Sequence, residues 1–289
     1  MKKISFVFVL SFLSIAPQLF AGGGWPQAAG RGFFKLSQWI LVSDQHYTDS
    51  GRLDPNVTQG IFTTSLYAEY GFTDRLTGIL YLPLFSRTYF NNTISATTGE
   101  VLTPGEAING LSDADISLKY GLIVNKPVVL SATLTLGIPL GESSGGSAGN
   151  LQLGDGEFNQ LLQLDASTSF QLGDKVSAYA SVYSGFNNRT NGFSDELRYG
   201  AEVGAGFLKN RLYTIFRLYG ISSLKNGEAT DASNSTSIFA NNSEFLTFSP
   251  EIAYSITDRW GVSANYATAL RGRIIFAAPS YSFGVFFKL

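Results

Sequence analysis

The chain has 289 residues, with 20 Lys and Arg against 22 Asp and Glu, a formal net charge of −2 and no cysteine. That balance leaves no basic face for nucleic acid, and the missing thiols exclude disulfides, a thiolate nucleophile and a cysteine-ligated metal. Low charge (15%), many aromatics (14%) and 31 Gly argue against an ordinary secreted domain.

Lys2 and Lys3 begin the chain, Ile4 to Ile15 is an apolar run, and Ala21 precedes Gly22. This is the pattern of a secretory signal peptide over residues 1–21, removed after Ala21, with 22–289 left as one domain. The run is shorter than the roughly 20 residues of a spanning helix. No later stretch approaches that length, so a mature chain in a bilayer must cross it with strands that close on themselves. Gly22 to Gln27 is expected to be a flexible periplasmic lead-in.

Twelve candidate strands follow, near 32–42, 61–71, 75–86, 113–123, 128–139, 157–170, 175–186, 196–208, 211–222, 244–256, 259–269 and 273–289. In the fifth, Leu130, Ala132, Leu134, Leu136 and Ile138 alternate with Ser131, Thr133, Thr135 and Gly137. The sixth sets Leu162, Leu164 and Ala166 against Gln163, Asp165 and Ser167, and the eighth sets Tyr199, Val203 and Phe207 against Arg198, Glu202 and Gly206. A soluble sandwich alternates in the same way. Strand length, the even number of strands and the pattern of connections favour the membrane instead. Turns such as those at Gly71 to Arg75, Asn125 to Pro127 and Thr257 to Arg259 are short, whereas Ser43 to Gly60 and Ser222 to Ser243 are long. The expected fold is therefore all-β: an antiparallel transmembrane β-barrel of about twelve strands, with short periplasmic turns and longer extracellular loops, surrounded by lipid in the bacterial outer membrane.

Trp260, Tyr70, Tyr120, Phe170 and Phe207 lie beside short turns on the apolar parity, where an interfacial girdle would sit. The final strand places Tyr281, Phe283, Val285, Phe287 and Leu289 on one face. It resembles the C-terminal signal read by the barrel-assembly machinery, with Leu in place of the usual terminal Phe.

The opposite parity supplies the candidate site. A two-residue hairpin at Lys209-Asn210 would pair Leu208 with Arg211 and set Glu202 across from Arg217, with Phe207 against Leu212, Val203 against Phe216 and Ala201 against Leu218 outside. A symmetric closure of the loop near Asn234 would bring Glu251 to the other side of Arg217. Lys119, Asp115, Asp165 and Arg198 also fall on inward positions, as do Tyr81, Tyr179, Tyr183, Tyr213 and Tyr219. Two readings stay open: a polar constriction that selects solutes, with tyrosines that stack on a planar one, or a charge network and packed rings that fill a narrow lumen. Mixed signs favour neither anions nor cations.

Other chemistry is sparse. His46, the one histidine, lies on the first long loop and could serve as a general base for a rim serine, as in lipid-hydrolysing outer-membrane barrels, but no nucleophile motif accompanies it. Asp113 with Asp115 and Asp155 with Glu157 lack the full spacing of a calcium loop and read as turn formers. The Asn-x-Thr/Ser triplets at Asn56, Asn92, Asn188, Asn234 and Asn241 read as loop asparagines. No cofactor or metal is expected.

Four segments carry a family resemblance: Gly30 to Leu36, Tyr67 to Leu76, Gly110 to Tyr120 with Ser112-Asp113 where Gly-Asp is usual, and Leu153 to Gly156. Together they resemble the outer-membrane proteins grouped with the meta-pathway of phenol degradation. The resemblance implies a transporter or channel for small, hydrophobic or aromatic solutes, and no catalytic residues. The alternatives are a lipid-hydrolysing barrel and a structural or adhesive one.

Overall fold

The computed structural model describes residues 23–55, 58–228 and 237–289. The signal-peptide reading over 1–21, Asn56 and Asn234 lie outside them. Twelve long strands run in chain order: β1 (Gly32–Ser43), β2 (Gln59–Gly71), β3 (Leu76–Phe90), β4 (Ala114–Ile123), β5 (Val128–Ile138), β6 (Asn159–Leu172), β7 (Val176–Asn188), β8 (Glu196–Phe207), β9 (Leu212–Ser223), β10 (Glu244–Ser255), β11 (Trp260–Arg273) and β12 (Ser280–Lys288). Each pairs antiparallel with its neighbours, and β1 pairs with β12 from Phe33↔Lys288 to Leu41↔Ser280, which closes the barrel.

Burial is inverted relative to a soluble fold. Leu162 and Leu164 are 56% and 59% exposed, while Ser131, Ser167 and Thr77 are at most 2% exposed. Apolar side chains thus cover the outside and small polar ones the inside, the distribution a lipid-facing wall requires. Tyr70, Tyr120, Phe170 and Trp260 stand exposed on the outer face next to the short turns.

Four expectations about local structure are corrected. The third strand continues past Ser86 to Phe90, because Glu106–Gly110 forms a further short strand that pairs with its upper half. The stretch expected as strand twelve divides: Ile274 adopts a left-handed φ of 54° and ends β11, Ile275–Phe276 pairs with His46–Tyr47 in a separate small sheet, and β12 begins only after Pro279. The connection after β8 is wider than a two-residue hairpin. Leu208, Lys209 and Asn210 have φ of 53°, 58° and 61°, and the Arg211 N–H donates to the Phe207 carbonyl at 3.1 Å. Both strands lose one residue to this turn, so the register survives, with Phe207↔Leu212, Val203↔Phe216 and Ala201↔Leu218 all formed.

The fourth correction concerns the lead-in. Residues 23–27 turn back into the barrel from its short-turn end instead of trailing outside. The Gly24 N–H donates to Ser167 Oγ at 2.7 Å, Lys119 Nζ donates to the Gly23 carbonyl at 2.7 Å, and the Gln27 N–H donates to Thr77 Oγ1 at 2.8 Å. The Trp25 ring meets Tyr179 edge-on at 5.8 Å. Glycine fits here for a steric reason: a Cβ on Gly24 would lie 3.0 Å from Ser167 Oγ.

Candidate functional site in the barrel lumen

The β8–β9 ladder places Glu202 opposite Arg217, both pointing inward. Arg217 Nε donates to Glu202, and its Nη1 donates to Glu251 Oε2 at 2.6 Å. Glu251 also accepts from Lys35 Nζ at 2.7 Å. Lys35 is on β1 and Glu251 on β10, with β12 and β11 between them, so this ion pair is a chord across the lumen. Tyr179 on β7 donates to the remaining oxygen of Glu202. The result is one connected chain, Lys35, Glu251, Arg217, Glu202 and Tyr179, at mid-depth. Each charge in it is partnered, as ions in a narrow, poorly solvated lumen must be.

Open space surrounds this chain. Toward the long loops lies a cavity of about 730 Å³, lined by Asp115, Tyr183, Arg198, Arg217 and Tyr219 and roofed by Leu153 and Phe239. Toward the short turns lie two smaller cavities of about 250 and 350 Å³. The first is polar, with Lys119, Thr133, Gln163 and Asp165 in its wall and Gly23 at its end. The second is aromatic, with Phe33, Tyr67, Tyr213 and Phe286. Tyr67, Glu202 and Arg217 belong to both walls and form the partition between them.

Every residue proposed from the sequence as a lumen candidate is on the inner face. Arg217, Glu202, Glu251 and Tyr179 make the central chain. Lys119 holds the Gly23 carbonyl, and Asp165 accepts from Gln163 Nε2 at 2.8 Å. Asp115 stands across from Tyr81, and Arg198 pairs with Glu196 at 3.0 Å. Tyr183 and Tyr219 line both the upper cavity and the polar lower one, and Tyr213 packs with Ala253 and Phe286 in the aromatic one. The tyrosines lie over glycines of the neighbouring strand: Tyr179 opposes Gly204 and Tyr183 opposes Gly200, where a Cβ would sit 2.5 Å from the Tyr183 ring.

Sequence reading missed Lys35, Tyr67 and Glu69. Tyr67 donates to Glu69, which also accepts from Gln27 Nε2 at 2.8 Å. Strand parity alone could have placed Lys35 inside, between Phe33 and Ser37, but β1 carries apolar residues on both faces and hides it. Near the long loops, Trp39 packs on Leu41, Ile61 and Phe276.

The acidic pairs expected as turn formers instead hold the long loops together. Asp113 accepts from the Gly141 N–H at 2.9 Å and the Asp155 N–H at 2.8 Å, and burial pushes its carboxyl up to about 6 against those two donors. Arg189, whose side chain is 4% exposed, pairs with Asp155 at 3.2 Å, Glu196 at 2.7 Å and Glu157. Burial pushes the Glu157 carboxyl up to about 7, opposed by Arg189. Among the described residues no cluster of His, Asp and Glu suits a metal ion. His46 pairs through its backbone with Phe276 and Asp54, and its Nδ1 is buried without a hydrogen-bond partner, so no serine hydroxyl is held on that nitrogen.

No protein-family model and no curated protein matches the chain. Among solved structures it is similar to an outer-membrane channel from Pseudomonas putida F1, at 16% identity over 94% of this chain and 99% of that one, with a TM-score of 0.59. The NanC porin matches at 10% identity over 89% of this chain and 100% of the porin, with a TM-score of 0.49. The first of these likenesses is one of fold.

Proposed function

We propose that this chain is an outer-membrane channel for the passive passage of small solutes, hydrophobic or aromatic ones among them. One observation carries the reading. The upper cavity and the aromatic lower cavity share Lys35, Ser65, Tyr81, Arg217 and Glu251 in their walls, so open space lies on both sides of the central charge chain, which separates them as a constriction would. In this reading the short turns face the periplasm, residues 1–21 are the removed signal, and β12 is what the assembly machinery recognises. The central chain is then the constriction, held rigid by its own ion pairs.

The test is reconstitution of the refolded protein in planar bilayers. Discrete conductance steps, larger in Arg217→Ala than in wild type, are expected. A folded, inserted protein with neither conductance nor liposome flux would reject the channel and leave a structural barrel.

A further inference from the structure

The two lower cavities are not equivalent. The polar one, about 250 Å³, ends at Gly23, whose carbonyl is held by Lys119, while the adjoining Gly24 N–H is held by Ser167. Asp165 lies beside them in the same wall. Its charges are matched and its lower end is occupied by the chain itself.

The aromatic cavity, about 350 Å³, contains no part of the lead-in segment in its wall. Phe33 and Phe286 stack at 5.6 Å and 26°, and Tyr67 stands edge-on to Phe33 at 6.4 Å. Ile215 and Ala253 complete an apolar surface. Three cations face this space, Lys35, Arg217 and Lys288, against the carboxylates Glu202 and Glu251. Lys35 and Arg217 are already engaged with those two carboxylates. Lys288 is the cation with no ion pair in this wall: its Nζ donates to Ser255 Oγ at 3.1 Å and lies 5.2 Å from the Phe286 ring centre, and the carboxylate that acts on it electrostatically, Asp258, stands outside the cavity lining. It stands opposite Phe33 near the lower ends of β1 and β12.

We propose that the aromatic cavity is a binding site for a small monocarboxylate with a flat or short apolar body, and that solute crosses the lower barrel here instead of through the branch occupied by Gly23 and Gly24. The apolar body lies against Phe33, Ile215 and Phe286, and the carboxylate takes the ammonium of Lys288. An apolar lining with one placed charge is the usual recipe for orienting a small ligand. An ammonium with no carboxylate in the cavity wall bonded to it can form a charge-assisted bond of the stronger kind with a ligand carboxylate. The proposal rests on the channel reading for the route and on the cavity alone for the binding.

Benzoate and benzylamine, two flat probes of opposite charge, separate these parts. Binding is measured on the refolded protein in detergent by saturation-transfer NMR and titration, which needs no conductance. Benzoate is expected to bind, benzylamine not, and Lys288→Gln to weaken benzoate about tenfold. Ala253→Phe fills the cavity from another strand and is expected to abolish binding, which guards against a misfolded first variant. The route is tested with the double substitution Gly24→Cys and Ser167→Cys, which ties the lead-in to the wall in a chain that has no cysteine of its own. Conductance is expected to persist in the oxidised protein and to be blocked by benzoate. Equal binding of both probes, or benzoate binding unaltered by Lys288→Gln and Ala253→Phe, overturns the site. Conductance lost on oxidation and restored by reductant overturns the route. Binding as expected in a protein that conducts nothing upholds the site and rejects the channel.

Discussion

Arg217 and Glu251 meet diagonally: the backbone partner of Glu251 is Ile215 and that of Arg217 is Ser249, yet Nη1 and Oε2 are 2.6 Å apart. A symmetric closure of the loop centred near Asn234 would pair them directly, and the observed register corrects that expectation. The offset matters because it leaves Oε1 of Glu251 free to accept from Lys35 across the lumen. The ion pairs around Arg217 thereby tie β1 to β10 as well as β8 to β10.

This chord has a thermodynamic signature. In a double-mutant cycle with Lys35→Met and Glu251→Gln, the two side chains should couple by about 1 kcal/mol, since groups sharing one charge network are non-additive. Urea unfolding in lipid vesicles measures it. Strict additivity would mean that β1 and β10 do not communicate through the lumen.

Gly204 has a packing role. The Tyr179 ring lies over it, closer to an ideal Cβ than van der Waals contact allows, with its hydroxyl on Glu202. Gly204→Val should push the ring aside, cost about 1–3 kcal/mol and loosen the Glu202–Arg217 pair. Thermal unfolding together with bilayer conductance reads both effects. A fully stable variant with wild-type conductance would remove Tyr179 from the constriction.

The long loops should respond to pH through Asp113. Its carboxyl titrates at about 6 in the fold against 3.8 unperturbed. With the folded value raised, the folded loop keeps a proton that the unfolded chain has released. The associated stability is fully present below about pH 4 and is lost as the pH rises through about 6. Exchange protection of the Gly141 and Asp155 amides, corrected for intrinsic rates, should therefore be higher at pH 5 than at pH 7, and Asp113→Asn should flatten the difference. An unchanged pH profile in the variant would assign the effect elsewhere.

The two faces of β6 should tolerate charge differently. Leu164 is 59% exposed on the outer wall, and Gln163 lines the polar cavity. Leu164→Arg should cost about 2–4 kcal/mol in a bilayer, the range for a cation near the midplane. Gln163→Arg, facing water and the Asp165 carboxylate, should cost much less. Equal costs would contradict the assignment of faces.

The barrel was legible along the chain. Period-2 alternation, the length of the runs and the contrast between short and long connections fix strand number, handing each residue to lipid or lumen, because side-chain direction in a strand depends only on parity. That is why Arg217, Glu202, Lys119 and the tyrosines could be placed inside, and why Glu202 could be set against Arg217 from a single turn. Local signals blurred where chain conformation changed: three left-handed residues at Leu208 to Asn210, and Ile274 where β11 ends. Contacts between strands that are not neighbours emerge only once the barrel is folded. The reach of Lys35 to Glu251, the return of Gly23 and Gly24 into the lumen, and the division of the lower barrel by Tyr67, Glu202 and Arg217 all depend on closure. Closure brings together residues far apart in both sequence and sheet order, and no pairwise rule along the chain encodes which of them will meet across the enclosed space.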